Sequence, residues 1–194
     1  MKKFNIYDFD KTIYDGDSSI DFYLFCLKMN PHLVFLLPYI SIYFIMYKLR
    51  IVEKKKFKEE FFSILKYMKD IDKVVELFWR KNEVKIKKWF IDDDSKNKII
   101  ISASPEFLLK PICYKLGKIE LIASIVDKKN GKFISNNCYG EEKVIRLNER
   151  YDNYVIDNFY SDSKSDIYLA RIAKNSYLVN KNNIIKWEIT RKED

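Results

Sequence analysis

Two aspartates, Asp8 and Asp10, stand two positions apart directly after the apolar stretch Phe4-Asn5-Ile6-Tyr7. Further along, Ser102 closes the run Ile99-Ile100-Ile101, and Asp162 and Asp166 follow the segment 154–160. Carboxylates gathered from remote parts of a chain repel one another unless a cation lies among them. An all-oxygen set without histidine or cysteine suits Mg²⁺, which takes few protein carboxylates and keeps waters and phosphate oxygens in its shell. The chemistry implied is the handling of phosphate. A lone D-x-D is more often a helix cap or a solvated turn. The motif gains weight here because polar groups recur at the ends of several strand-like runs.

Those runs must position the acids. Apolar segments that read as strands cover 3–9, 98–101, 119–123, 154–160, 177–179 and 184–187, with helical patterns over 107–116 and 141–150. Continuous apolar strands alternating with helices predict a parallel sheet covered on both faces. In such a sheet ligands bind beyond the carboxyl ends of the strands, where Asp8, Asp10, Ser102, Asp162 and Asp166 fall. Asn130-Gly131 signals a hairpin between 125–126 and 133–134. From about residue 18 to 94 there is no convincing strand. Phe57, Phe61, Ile64, Leu65 and Met68 recur at helical spacing, as do Ile71, Val74, Val75 and Phe78, and Asp17 or Ser18 can cap the first helix of the stretch. The expected fold is α/β: a Rossmann-like parallel sheet core from 1–16 and 95–194, with an all-helical cap, 17–94, inserted after the first strand.

The chain has 194 residues, 47% hydrophobic and 33% charged, with four glycines and four prolines. That composition excludes disordered, collagen-like and low-complexity classes. The formal net charge is +8, and residues 48–98 hold 16 basic and 10 acidic residues, which favours an anionic partner. Cys26, Cys113 and Cys138 are scattered, arguing for a reducing compartment, and the single histidine, His32, leaves no His-based metal site. Lys2 and Lys3 lead straight into a strand-like segment, unlike a signal peptide. The expected location is cytoplasmic, with association at the inner face of the cell membrane left open. The reason is 33–47, fifteen uncharged residues flanked by Lys28, Lys48 and Arg50. As a helix they reach about 22 Å, short of a hydrocarbon core of about 30 Å. Two readings stand side by side, a helix packed inside the insert and an interfacial or re-entrant segment with snorkelling cations; a full span is the weakest.

Asp8-Phe9-Asp10-Lys11-Thr12 resembles the first motif of the haloacid dehalogenase-like hydrolases, D-x-D-x-T, and Ile99-Ile100-Ile101-Ser102 resembles the second. Lys143 is placed like the third-motif lysine, and Asp162-Ser163-Lys164-Ser165-Asp166 is similar to the fourth, D-x-x-x-D after a strand. The insert position resembles the phosphoserine-phosphatase-like branch with a helical cap. Ser104-Pro105-Glu106, Leu121-Ile122-Ala123-Ser124, Gly140 to Lys143 and Tyr160 to Lys164 also look like the bacterial phosphatidylglycerophosphatase C family, which has an apolar run early in its cap. Lys11 departs from the glycine common there.

The resemblance implies a Mg²⁺-dependent phosphomonoesterase. Asp8 resembles the nucleophile, forming an aspartyl-phosphate, and Asp10 the general acid and then base. Mg²⁺ would be held by the Asp8 carboxylate, the Asp10 backbone carbonyl and Asp162, with Asp166 supporting. Ser102 and Lys143 would bind the transferring phosphoryl group. Thr12 supports the loop. Asp17 is a helix cap or a substrate or hinge contact, and Ser104 a donor near the phosphate. The expected substrate is a lipid-linked phosphate such as phosphatidylglycerophosphate, with membrane-surface contact through 33–47 and no nucleic acid. The alternatives are a soluble phosphatase of phosphoserine or another small metabolite, and a non-catalytic binder of acidic membranes or nucleic acid.

Overall fold

A computed structural model describes residues 1–189 of the chain. Six strands, β1 (Lys2–Tyr7), β2 (Lys98–Pro105), β3 (Glu120–Ser124), β4 (Tyr154–Ser161), β5 (Ala173–Asn180) and β6 (Asn183–Lys186), form one sheet in the order β3-β2-β1-β4-β5-β6. β1 pairs in parallel with β2 and β4, β2 with β3, and β4 with β5. This is the α/β, Rossmann-like sheet that the alternation of strands and helices demands. The departure is β6, which runs antiparallel to β5 because the turn between them is too short for a crossover. Residues 190–194 of the expected core lie outside the described residues.

Strand periodicity divides the core in two. Ile6, Ile99 and Ile101 enter a cluster with Leu147 of α7 (Glu142–Arg150) and Leu169 of α8 (Ile167–Ile172). Tyr7 and Ile100 point the other way, into a larger cluster with α6 (Glu106–Lys115) and the helices that follow β1. Those helices are α1 (Ser18–Met29), α2 (Leu36–Lys48), α3 (Lys54–Phe61), α4 (Ile71–Asn82) and α5 (Lys88–Ile91). The Asp17 side chain caps α1 by accepting from the amides of Ser19 and Ile20, both at 3.1 Å. The stripe Ile71, Val74, Val75, Phe78 of α4 is buried, and Phe78 meets Phe22 of α1 edge-on at 5.5 Å. Trp79 donates through its indole N–H to the Leu108 carbonyl at 2.6 Å, tying α4 to α6.

One local expectation changes and another holds. The helix begun by Phe57 and Phe61 tightens into a 3-10 segment over Phe62–Tyr67. The Asn130-Gly131 hairpin forms as expected: Val126 bridges Phe133 in antiparallel fashion, the Ile134 amide donates to the Ile125 carbonyl at 2.9 Å and the Asp127 amide to the Lys132 carbonyl at 2.8 Å. The two segments meet in one close approach. A Cβ on Gly131 would lie 2.3 Å from the Phe62 carbonyl oxygen, and its φ is +77°. The glycine lets the loop press on Phe62.

The segment 33–47 also departs from the packed-helix reading. In α2 only Leu36 and Ile40 are buried, and 17% of Pro31–Lys48 is buried overall. Ile42 and Ile45 are each 56% exposed. The physical reason is that α2 rests on α3 along one side, with Phe44 and Tyr47 each 5.6 Å from the Phe57 ring.

Candidate active site

The strand order reverses between β1 and β4, the seam where an open parallel sheet leaves a crevice. Tyr7 is in register with Tyr160, and the Asp8 amide donates to the Tyr160 carbonyl at 2.9 Å, so Asp8 emerges at that seam. Phe9 and Ile13, both fully buried, anchor the loop behind it. The Thr12 hydroxyl donates to Asp8 Oδ2 at 3.3 Å and accepts from the Asp162 amide at 2.9 Å, linking the exits of the two strands.

Lys143 reaches the seam from the first turn of α7. Its Nζ donates to Asp8 Oδ1 at 2.7 Å and to Asp166 Oδ2 at 2.8 Å, and Asp166 Oδ2 also accepts from Ser161 Oγ at 2.7 Å. The Lys143 side chain is 2% exposed. Burial alone would lower its pKa, but the two carboxylates raise it well above the ordinary range, so it stays an ammonium. Burial pushes the Asp8 carboxyl up to about 7, the Lys143 charge pulling against it and Asp166 adding to it. Two carboxylates sharing one ammonium leave a net negative charge in a poorly solvated place, which a cation would relieve.

Asp10 is held differently. Its Oδ1 accepts from the Ser18 amide at 2.6 Å, at the start of α1, and its Oδ2 from Ser104 Oγ at 2.5 Å. Burial first, then the Asp17 charge, pushes Asp10 up to about 6. A carboxyl poised there can give and take a proton near neutrality. Ser104 therefore spends its hydroxyl on Asp10, and it also meets Ser19 Oγ at 3.0 Å, rather than standing free as a phosphate donor. Ser102 is buried, its Oγ accepting from the Ser104 amide at 3.1 Å.

Asp8, Asp10, Asp17, Ser102, Ser104, Lys143, Asp162 and Asp166 all line one cleft of about 230 Å³. A larger hollow of about 920 Å³, over β3 and between α6 and α7, contains none of them. Among the described residues no three His, Cys, Asp or Glu side chains close into a metal cage. Within the cleft the Asp166 carboxylate is engaged by Lys143 and the Asp10 carboxylate by the start of α1. What faces the cleft still fits Mg²⁺. Asp8 Oδ2 takes only the 3.3 Å bond from Thr12, and the Asp162 carboxylate, whose pKa burial raises, takes no hydrogen bond from another described residue. Mg²⁺ commonly uses one or two carboxylates plus waters and substrate phosphate. Lys11 sits at φ +59°, the left-handed region that favours glycine, so the departure there carries backbone strain.

Among the residues of the cleft and its support that escaped sequence reasoning are Lys54, Lys58, Tyr139 and Ser161. Lys54 and Lys58 are separated by one helical turn, but in a stretch so rich in lysine that spacing reads as a solvated face. Ser161 directly precedes Asp162, and its place at the strand end was the available signal.

A family model described as haloacid dehalogenase-like hydrolase matches residues 6–171. A histidinol-phosphatase of Neisseria meningitidis serogroup C is 30% identical over 94 residues, 42% of this chain and 42% of that protein, so the match spans less than half of the relative's length. A protein of unknown function from Bordetella pertussis Tohama I shares the fold with a TM-score of 0.76 at 17% identity, over 91% of this chain and 89% of that one. A phosphoserine phosphohydrolase-like protein from Francisella tularensis is similar at a TM-score of 0.57 and 15% identity, over 91% and 86% of the two chains.

Proposed function

From the premise that this chain belongs to the haloacid dehalogenase-like hydrolases, we propose that it is a phosphomonoesterase that passes the phosphoryl group through Asp8. The observation that carries this reading is the Asp8–Lys143–Asp166 chain at the β1/β4 seam, with Asp10 held separately at the start of α1. Asp8 attacks phosphorus and becomes an aspartyl-phosphate. Asp10, poised near neutrality, protonates the departing alkoxide and then takes a proton from the water that releases phosphate. Lys143 and Ser102 offset charge on the transferring group, and loss of one such contact slows turnover by about a hundredfold to a thousandfold. Asp8, Asp162 and the Asp10 carbonyl would hold Mg²⁺, which would supply Lewis-acid stabilisation to the phosphoryl oxygens. Residues 1–16 and 95–194 act as the catalytic core, and 17–94 as the cap that reads the alcohol.

Within this activity we favour a lipid-linked phosphate at an anionic bilayer surface. The exposed apolar side of α2 supports it, together with the lack of any acid between Asp21 and Glu53 while Lys28, Lys48 and Arg50 lie in that interval. A cleft of about 230 Å³ admits a phosphoryl group and the first atoms of an alcohol, leaving the rest outside. Three buried, unpaired cysteines fit a reducing compartment, and so the cytoplasmic face. A panel of phosphatidylglycerophosphate in vesicles, phosphoserine and nucleotides, run with and without Mg²⁺, tests the reading. Vesicle-borne substrate should be preferred, and Asp8→Asn should lower turnover more than about a thousandfold. Preference for phosphoserine would return the soluble alternative, and equal turnover by wild type and Asp8→Asn would remove the mechanism.

A further inference from the structure

The mechanism leaves three cations of the cleft unused, Lys11, Lys54 and Lys58, and two of them lie together on one helix. α3 carries Lys54 and Lys58 one turn apart, and both line the wall of the cleft with Asp8 and Asp10. Lys58 Nζ donates to the Ala103 carbonyl at 2.7 Å and to Asn137 Oδ1 at 3.2 Å, both neutral acceptors. Lys54 Nζ lies 3.3 Å from the centroid of the Tyr139 ring. Among the described residues neither ammonium has a carboxylate within ion-pair distance. Lys56, on the outer side of the same helix, does: it meets Glu60 at 2.5 Å.

Like charges one turn apart weaken a helix, and a partly buried cation without a counter-ion is costly. Burial and the Lys54 charge accordingly press the Lys58 pKa down to about 8. Lys143 is already engaged at the nucleophile. Lys54 and Lys58, making no direct contact with a carboxylate of the described residues, are placed to meet an anion that the substrate brings.

Resting on the phosphatase reading, we infer that Lys54 and Lys58 form a second anion subsite, so that the preferred substrate is a phosphomonoester whose leaving alcohol carries an acidic group of its own. The shared chemistry is an oxyanion, either a carboxylate or a phosphodiester. Tyr139 holds the Lys54 ammonium over its ring, and Ala103 and Asn137 aim Lys58, so the pair is partly ordered before the anion arrives.

Three soluble esters test this without a membrane: glycerol 3-phosphate, whose leaving group is neutral; 3-phosphoglycerate, which adds a carboxylate; and glycerophosphoglycerol phosphate, which adds a phosphodiester. At least one acidic ester should exceed glycerol 3-phosphate at least tenfold in kcat/KM, chiefly through KM, and which one identifies the oxyanion. Lys54→Met and Lys58→Met should each lower that ratio severalfold, and Lys58→Arg should retain most of it. Equal use of all three esters by wild type overturns the inference while leaving the phosphatase reading standing. A loss of equal size on every ester in the Met variants also overturns it, since the lysines would then serve the transferred phosphoryl group. No turnover of any ester with Mg²⁺ would overturn the phosphatase reading and this inference together.

Discussion

With Lys143 replaced by Met, Asp8 and Asp166 would be left buried near each other with no ammonium between them. Breaking a buried pair in this way costs about 3–5 kcal/mol, and urea unfolding of Lys143→Met should register a loss of that size. Adding Asp166→Asn should recover part of it, whereas an unchanged midpoint would mean that water already shields the two acids. Lys58 gives a second prediction with a definite sign. Its pKa is held at about 8, below the ordinary 10.5, by burial and Lys54. From about pH 8 to pH 10 the unfolded chain binds a proton at residue 58 that the folded chain has released, so this group makes stability rise with pH. The stability difference, wild type minus Lys58→Met, should therefore grow across that interval in paired unfolding curves, and a flat or falling difference contradicts it. At this scale the strand-end acids were legible because Asp8, Asp10 and Asp162 interrupt apolar runs. The engagement of Ser104 with Asp10 was not, since a bond between residues 94 positions apart leaves no local trace.

The helices were less legible than the strands, and for differing reasons. α4 followed directly from Ile71, Val74, Val75 and Phe78, because one buried stripe leaves a 3.6-residue period. Phe62, where the helix tightens, lies against Gly131 far along the chain, and no pattern within 57–68 contains that contact. For 33–47 the composition settles the helix but not its surroundings, since an apolar helix reads alike whether covered or bare. Its exposure yields a prediction for the element itself. Ile42→Glu with Ile45→Glu should change unfolding free energy by no more than about 0.5 kcal/mol per site, as expected away from packed positions. The same pair should abolish co-sedimentation with phosphatidylglycerol vesicles. Marked destabilisation with vesicle binding intact would mean that α2 packs against protein.

Across the whole molecule, the sheet and the insert each supply one wall of the cleft. Asp8, Ser102 and Lys143 come from strand ends and α7, and Asp17, Lys54 and Lys58 from the segment between β1 and β2. The parallel sheet was legible in the alternation of apolar strands with helices, but the order β3-β2-β1-β4-β5 was not, since polar strand ends do not say which strands are neighbours. How the insert sits over them was not implicit, because contacts such as Lys58 on the Ala103 carbonyl join residues 45 positions apart and leave no local pattern. The central claim is that a carboxylate at this junction carries the phosphoryl group covalently. Its most direct measurement is rapid quenching during turnover of a phosphomonoester, borohydride reduction of any acyl phosphate, and mass spectrometry of the peptides. The account predicts conversion of residue 8 from aspartate to homoserine, dependent on substrate and lost in Asp8→Asn. Steady turnover with residue 8 unmodified, or with modification at another carboxylate, would contradict it.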